Sequence, residues 1–209
     1  MNLSRRALLG AGLAGTAVLA LSSASMAAGG TALEKLPRAS GLDPDLLRRA
    51  LASLERHQDQ IPKRDVIAVA DFAKPSRLPR FHLVNVGDGK VSSYLVAHGK
   101  GSDPKHTGWL KNFSNVVGSE ATSEGAYRTS DFYTGQHGRS MRLDGLDPTN
   151  DNARDRAIVV HGAWYVSRDM IRDHGVLGRS QGCFAFEQDK LHAVMQRLGE
   201  GRMIYAARA

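Results

Sequence analysis

The sequence predicts a mainly β fold with flanking α-helices, and three observations support that prediction. Short apolar runs rich in β-branched residues recur along the chain, each bounded by turn residues. A strand, tight turn and strand pattern spans 80–97, with Gly-Asp-Gly as its turn. The segments 43–57 and 187–198 carry apolar residues at helical spacing on one face, as expected of helices that cover a core. The 209 residues fit a single globular domain after its leader.

Residues 1–27 are predicted to form a twin-arginine-type signal peptide. The pair Arg5-Arg6 precedes a short apolar run rich in Gly and Ala, and Ser25 and Ala27 are the small residues that suit cleavage after position 27. A non-cleaved membrane anchor is the alternative. Cleavage predicts an exported protein in the periplasm or cell wall, with no stable membrane insertion.

The following segment, 28–62, is predicted to be a small polar linker and an N-terminal helix. Asp43 can cap the helix, and Pro44 suits its first turn. The helix is expected to end near His57, which we place at the surface.

The remaining elements follow from local patterns. Glycine and serine clusters make 101–156 a loop-rich segment, with Tyr127 at or just before a strand. An apolar run at 157–160 predicts a central strand that ends at His161, and Ser167 and Gly175 delimit a short helix. The other predicted strands are 66–70, 80–86, 90–97 and 202–207.

Cys183 is the only cysteine, and it follows His161 by 22 residues. An exported chain with one cysteine cannot form an internal disulfide, so the thiol is either reactive or buried and inert. A thiol becomes a strong nucleophile when a base removes its proton, and His161 is the obvious base. The glycine-containing loop around Cys183 favours the reactive interpretation.

This pair predicts acyl transfer. His161 would take the thiol proton, and backbone N–H groups next to Gly182 would face the oxyanion that forms on the attacked carbonyl. Ser180 would bond the substrate or orient the loop. Arg179 and Gln181, together with Gly162 beside the histidine, complete the predicted substrate-facing set.

Other functional classes find little support in the sequence. No pair of histidines has metal-ligand spacing, so we predict no metal and no organic cofactor. The formal charge is +7 and becomes +5 when Arg5 and Arg6 leave with the signal peptide. Basic residues are not interleaved with aromatic ones, which argues against nucleic acid binding.

Three arginines and one tryptophan have open interpretations. Arg128, Arg139 and Arg142 could hold a substrate carboxylate, although each is more typical of a solvated surface charge. Trp164 is expected to fill the core.

Two motifs together resemble the YkuD-like L,D-transpeptidase catalytic domain family. They are similar to its divergent murein L,D-transpeptidase branch. The motifs are His-Gly-Ala-Trp-Tyr-Val-Ser at 161–167 and Leu-Gly-Arg-Ser-Gln-Gly-Cys at 177–183. Gln181 stands where the main family has a second histidine. The resemblance implies a β-sandwich or barrel-like catalytic domain over 63–209.

The resemblance also implies an activity. Cys183 would form a thioester with a peptidoglycan stem peptide and pass it to a diaminopimelate amine, giving 3–3 or 1–3 cross-links. Donor and acceptor stem peptides would be its partners, and a carbapenem would acylate Cys183 more readily than a penicillin. Hydrolysis of the same thioester, as in an L,D-carboxypeptidase or amidase, and a non-catalytic wall-binding domain are the alternatives.

Overall fold

The computed structural model describes residues 41–209, which form one mixed eight-stranded sheet with three helices. The predicted signal peptide and the first part of the predicted linker lie outside the described residues. The strands are β1 (Val66–Asp71), β2 (Phe81–Asn85), β3 (Val91–Tyr94), β4 (Gly125–Gly135), β5 (Gly138–Gly145), β6 (Val159–Gly162), β7 (Phe184–Phe186) and β8 (Met203–Ala207). The helices are α1 (Pro44–Arg56), α2 (Arg168–His174) and α3 (Gln188–Leu198).

The strand order in the sheet is β3-β2-β1-β8-β4-β5-β6-β7. The pairs β1–β8 and β6–β7 are parallel, and the other pairs are antiparallel. Isolated bridges join Ala97 to Ala185 and Gly99 to Ser180, so the segment after β3 meets the opposite end of the sheet. The sheet therefore curls towards a barrel, and the mainly β fold with flanking helices is confirmed.

Apolar side chains from the sheet pack in two main clusters. One contains the phenylalanines of β2 and β7 together with Val194, Met195 and Leu198 of α3. The other joins leucines of α1 to Ile67 and Val69 of β1, so the N-terminal helix is part of the same packed body as the sheet.

The predicted helix boundaries are confirmed by the capping residues. The Asp43 carboxylate accepts hydrogen bonds from the first backbone N–H groups of α1. Ser167 caps α2 in the same way, and Gly175 ends that helix in the left-handed conformation at φ +74°.

The loop-rich prediction for 101–156 is wrong in part, because this segment contains the longest hairpin of the sheet. Strands β4 and β5 pair antiparallel through a tight turn at Gly135–Gly138, with a register shift between Thr129 and Phe132. Their outer halves carry mostly polar, exposed residues. The apolar alternation that marks a half-buried strand is therefore missing from the sequence.

Two predicted strand positions are also corrected. β6 begins at Val159 rather than at residue 157, because Ala157 has a φ of +52° that no extended strand allows. The strand also continues to Gly162, so His161 is its third residue rather than its last. β3 ends at Tyr94, beyond which the chain bends to reach β7.

His57 was expected at the surface, but it is 8% exposed. Its Nε2 lies 2.9 Å from a carboxylate oxygen of Asp147, in the turn that follows β5. The interaction joins α1 to a segment 90 residues away in sequence, a distance across which local patterns carry no information. Among residues 41–209, no helix has the length and apolar character needed to cross a bilayer.

Candidate active site

The parallel pair β6–β7 brings the two candidate residues, His161 and Cys183, to neighbouring positions in the backbone. His161 is opposite Ala185 in the register, and Cys183 precedes Ala185 by two residues. Cys183 immediately precedes β7, so its backbone lies diagonally across from that of His161. The residues between them, Val160 and Phe184, point into the core.

The orientation of the His161 ring follows from one hydrogen bond. Its Nδ1 lies 3.0 Å from the carbonyl oxygen of Gly162. A carbonyl can only accept, so Nδ1 carries the hydrogen and Nε2 of the neutral ring has a free lone pair. Burial lowers the pKa of His161 below its ordinary 6.5, which keeps this lone pair available at neutral pH.

A second histidine covers the ring. His137, at the turn of the β4–β5 hairpin, stacks on His161 with ring centroids 4.3 Å apart and an interplanar angle of 23°. Its charge, when protonated, also lowers the pKa of His161. The hairpin turn thus contributes to both the position and the protonation of the histidine.

The thiol of Cys183 is half-buried, and its Sγ donates to the carbonyl oxygen of Ala157 at 3.5 Å. Burial raises the pKa of this thiol above its ordinary 9.0. The backbone N–H groups of Val159 and Cys183, and the charge of Arg156, act in the opposite direction on the pKa. The two directions favour a neutral thiol and a neutral imidazole near pH 7.

The loop before Cys183 is held by its own serine. Ser180 Oγ donates to Cys183 O at 2.7 Å and accepts from Gly182 N at 3.1 Å. Of the two roles open to Ser180, the structure places its hydroxyl in the one that orients the loop. Gly182 has a φ of +115°, and a Cβ there would lie 2.7 Å from Ala121 O, so the backbone conformation requires glycine.

Neighbouring segments support the loop from outside. Ser180 N donates to His98 O at 2.9 Å, and Thr122 Oγ1 donates to Gly182 O at 3.3 Å. A Cβ on Gly99 would lie 2.8 Å from Gly182 N, so these two glycines let the backbones meet. The loop is thus fixed on several sides.

A buried charged network lies beneath this support. Arg80 is fully buried and donates to Lys74 O and Val96 O. Its Nη2 lies 2.7 Å from His98 Nδ1. Nδ1 must accept from the guanidinium, so Nε2 of His98 carries the hydrogen and faces Asp103 Oδ2 at 3.6 Å. Burial and the Arg80 charge lower the pKa of His98 to about 3, so the ring stays neutral.

The other predicted substrate-facing residues occupy different positions. Gln181 is exposed in the loop, two residues before Cys183. Arg179 donates to Asp103 O and Pro104 O, so its guanidinium anchors a neighbouring loop. Gly162 is buried, and a Cβ there would lie 3.2 Å from Leu191 of α3.

The three arginines with open interpretations all have partners. Arg128 pairs with Asp144 at 2.9 Å, and Arg142 pairs with Asp131 at 3.1 Å. Arg139 lies 4.9 Å from the ring centroid of Phe132. Arg128 and Arg142 are thus paired within the hairpin, while Arg139 lines a pocket together with Phe132 and Leu191.

Trp164 corrects a prediction, because it is 73% exposed rather than part of the core. It lies in the turn after β6 and contacts Tyr165 edge-on at 5.9 Å. Tyr165 instead supplies the packing, since its ring fills the space beside Gly178.

The sequence patterns did not point to several residues that contact the Cys183 loop, the thiol or the His161 ring, namely Gly99, Thr122, His137, Arg156 and Ala157. Each lies far from Cys183 in sequence and belongs to no local motif. His137 lies in an exposed turn, and the residues around Arg156 are typical of a surface turn. Only the pairing of distant strands brings them to the site.

The sequence profile of the L,D-transpeptidase catalytic domain family matches residues 38–207. The match covers most of the chain, so this chain belongs to that family. The resemblance based on the motifs at 161–167 and 177–183 is thereby confirmed. No curated protein matches the sequence.

Within the described residues 41–209, no group of three or more His, Cys, Asp or Glu side chains could hold a metal ion.

Several solved structures are similar at low identity. The helical cell shape determining protein Pgp2 from Campylobacter jejuni is 13% identical, with a TM-score of 0.47 over 83% of this chain and 57% of that one. L,D-transpeptidase 3 from Mycobacterium tuberculosis is 12% identical, with a TM-score of 0.44 over 69% and 61%. An L,D-transpeptidase from Mycobacterium smegmatis is 15% identical, with a TM-score of 0.42 over 68% and 58%. The chain therefore spans about three-fifths of the length of these structures.

Proposed function

We propose that this protein is a peptidoglycan L,D-transpeptidase with Cys183 as nucleophile and His161 as general base. One observation carries the proposal. In a chain of the L,D-transpeptidase catalytic domain family, the only cysteine immediately precedes β7, and a histidine with a fixed tautomer lies diagonally across from it on the adjacent parallel strand β6. Nucleophilic acyl transfer needs this combination of a thiol and an oriented base.

The first half-reaction forms a thioester. Nε2 of His161 takes the proton of the Cys183 thiol as the sulfur attacks a stem-peptide carbonyl carbon. When the tetrahedral intermediate collapses, the carbon–nitrogen bond breaks and the imidazolium returns its proton to the leaving amine. The donor stem peptide remains bound to the sulfur, and the histidine is neutral again.

The second half-reaction transfers the acyl group. An acceptor amine, supplied by diaminopimelate of a neighbouring stem, loses its proton to His161 as its nitrogen attacks the thioester carbon. The carbon–sulfur bond then breaks, a new amide forms and the thiolate takes the proton back. The cross-link is 3–3 or 1–3 according to which stem residue supplies the carbonyl.

The oxyanion in both half-reactions requires backbone donors. Gly182 N–H is used within the loop by Ser180 Oγ. The N–H of Cys183, which is close enough to its own sulfur to favour the thiolate, is the loop donor that we assign to the oxyanion. Gln181 and Trp164 are exposed and near in sequence to Cys183 and His161, so we assign them as side chains available to the stem peptide.

We also propose that the protein acts outside the cytoplasmic membrane. Peptidoglycan stems lie there, and residues 1–27 have the pattern of a cleavable twin-arginine signal. Fusion of this segment to a reporter that folds before export tests the proposal. Replacing Arg5 and Arg6 with lysine should retain the reporter in the cytoplasm, and unchanged export would contradict it.

The decisive test of activity is mass spectrometry of muropeptides after incubation with wild-type protein and with Cys183→Ala. We expect cross-linked dimers with wild type alone, and fragmentation would identify the joined stem positions. Shortened stems without dimers would instead indicate a carboxypeptidase or amidase. No cysteine-dependent change in any muropeptide would contradict an enzymatic role and favour wall binding.

A further inference from the structure

Arg156 lies in the turn before β6, and its side chain is fixed by a loop from another part of the chain. Nη1 donates to Ser114 O at 2.7 Å, and Nη2 donates to Ser119 Oγ at 3.3 Å. Nη2 also donates to Ala121 O. These acceptors belong to the loop 114–121, and three bonds to a planar guanidinium determine its position closely.

The fixed guanidinium lies against the nucleophile loop. A Cβ built on Gly182 would be 3.3 Å from Arg156 Nη2 and 2.7 Å from Ala121 O, which Arg156 also contacts. The next residue, Ala157, accepts the hydrogen bond of the Cys183 thiol. Arg156 and Ala157 therefore contact the loop and the thiol from consecutive positions.

The backbone between these two residues has an unusual conformation. Ala157 has a φ of +52°, a region that residues with a Cβ seldom adopt. This conformation coincides with the hydrogen bond from its carbonyl oxygen to Sγ. Left-handed conformations of non-glycine residues are typical of functional sites, where the surrounding structure maintains them.

The charges around the thiol leave Arg156 as the group that compensates a sulfur anion. Burial raises the pKa of Tyr165 to about 12 and raises that of Tyr127 further, so both phenols near Cys183 are neutral. His161 is neutral for the reason given above. Among the described residues, Arg156 is the cation whose charge lowers the pKa of the Cys183 thiol.

We propose that Arg156 is a positioning residue that stabilises the negative charge of the Cys183 sulfur, with its guanidinium held by the loop 114–121. Charge develops on the sulfur twice during acyl transfer, when the thiol loses its proton and when the thioester breaks. The proposal rests on the proposed function only in taking Cys183 as the nucleophile.

The pH dependence of alkylation tests this role directly. Iodoacetamide reacts with the thiolate, which displaces iodide, and Cys183 is the only cysteine that can be labelled. The variants are Arg156→Gln, which keeps an amide donor for the loop, and Arg156→Met, which keeps the size of the stem. Circular dichroism and thermal unfolding show whether each variant is folded. Because the two replacements differ in shape, one can serve as the uncharged variant if the other does not fold.

We expect the uncharged variants to raise the thiol pKa and to slow alkylation near pH 7 by about three- to tenfold. A shift of one unit in pKa changes the thiolate fraction tenfold at fixed pH, and a nearby charge in partly screened surroundings has an effect of this order. Arg156→Lys retains the charge, so it should restore at least half of the difference.

Arg154→Met is the matched control, because Arg154 lies in the same turn and pairs with Asp131 and Asp144. It should leave the thiol pKa unchanged. The proposal is overturned if Arg156→Gln and Arg156→Met leave the thiol pKa at the wild-type value. It is also overturned if Arg156→Lys behaves like the uncharged variants, which would indicate a purely structural role, or if Arg154→Met produces an equal shift.

The alkylation experiment uses no peptidoglycan, so it is independent of the muropeptide assay. If the uncharged Arg156 variants raise the thiol pKa as expected but no cross-linked product forms, the result would count against the proposed function alone. Cross-linked product with an unresponsive thiol pKa would count against the role of Arg156 alone.

Discussion

Burial sets the chemistry of Cys183 and His161 at the scale of single residues. It raises the pKa of the thiol and lowers that of the imidazole, so the two groups do not form a resting ion pair. The Gly162 carbonyl decides which nitrogen is basic, and the Ala157 carbonyl holds the thiol hydrogen.

Gly182 provides a test of the loop conformation. Gly182→Ala adds a Cβ at a φ of +115° and within 2.7 Å of Ala121 O and Ile158 Cδ1. We expect the free energy of unfolding to fall by about 2–4 kcal/mol, because backbone strain and overpacking add. Urea unfolding measures the loss, and alkylation of Cys183 should become slower or faster as the loop moves.

The control is Gly175→Ala, since Gly175 also has a positive φ, +74°, but nothing lies within 4 Å of its added Cβ. This variant should lose only about 1 kcal/mol, the cost of the left-handed backbone. Equal losses in the two variants would show that close approach at Gly182 contributes nothing.

At the scale of secondary-structure elements, the β4–β5 hairpin connects the core to the candidate site. Its inner half pairs with β8 and β6, and its turn carries His137 over the His161 ring. The hairpin therefore connects the His161 ring, through His137, to strands that are paired on both sides in the sheet.

His137→Ala should disturb His161 without unfolding the protein, because His137 is exposed and contacts the ring from outside. Loss of the neighbouring charge should raise the pKa of His161 towards 6.5, and the freer ring should lower the cross-linking rate about three- to tenfold. An NMR titration of the imidazole and the muropeptide assay measure the two effects. Thr134→Ala, on the same hairpin, is the control, and an unchanged His161 titration in His137→Ala would contradict the prediction.

Helix α1 should contribute substantially to stability, although it precedes the first strand. Leu47 is fully buried in the cluster that includes β1 and β8. Leu47→Ala should lower the free energy of unfolding by about 2–5 kcal/mol, the range for a leucine removed from a core. Leu51 is only partly buried, so Leu51→Ala should lower the free energy of unfolding by less. Equal losses in the two variants would argue against the packing of the helix described here.

At the scale of the whole molecule, the curled sheet buries several histidines along with its core. His82, His98 and His161 are each at most 2% exposed. Burial lowers the pKa of His82 to about 4 and that of His98 to about 3, and it also lowers that of His161. All three remain neutral in the folded protein at pH values where the unfolded chain binds protons.

The free energy of unfolding should therefore fall as the pH decreases from 6.5 towards 4. Well above 6.5 both states are unprotonated at these sites, and as the pH falls through 6.5 the unfolded state binds more protons, so stability decreases. Urea unfolding across this range measures the slope. His82→Gln removes one titrating group and should flatten the slope, with exposed His174→Gln as the control, and a pH-independent stability would contradict the prediction.

The sequence by itself determined the elements whose signals are local. Capping residues predicted the bounds of α1 and α2, and apolar runs predicted the buried strands β1, β2 and β8. The motifs at 161–167 and 177–183 carry the resemblance to the family, and Cys183, His161 and the glycines around the thiol led to the nucleophile hypothesis. These features depend on neighbours within a few residues, so they can be read along the chain.

The tertiary structure alone decided the surroundings of the thiol. The polar hairpin of β4 and β5 is a strand pair because it adds to an existing sheet, and its turn then places His137 on His161. Arg156 reaches the nucleophile loop only because the loop 114–121 holds its guanidinium there. The exposure of Trp164 and the burial of His57 were likewise decided by the tertiary structure. Burial depends on which distant segments pack together, and no local pattern in the chain specifies that.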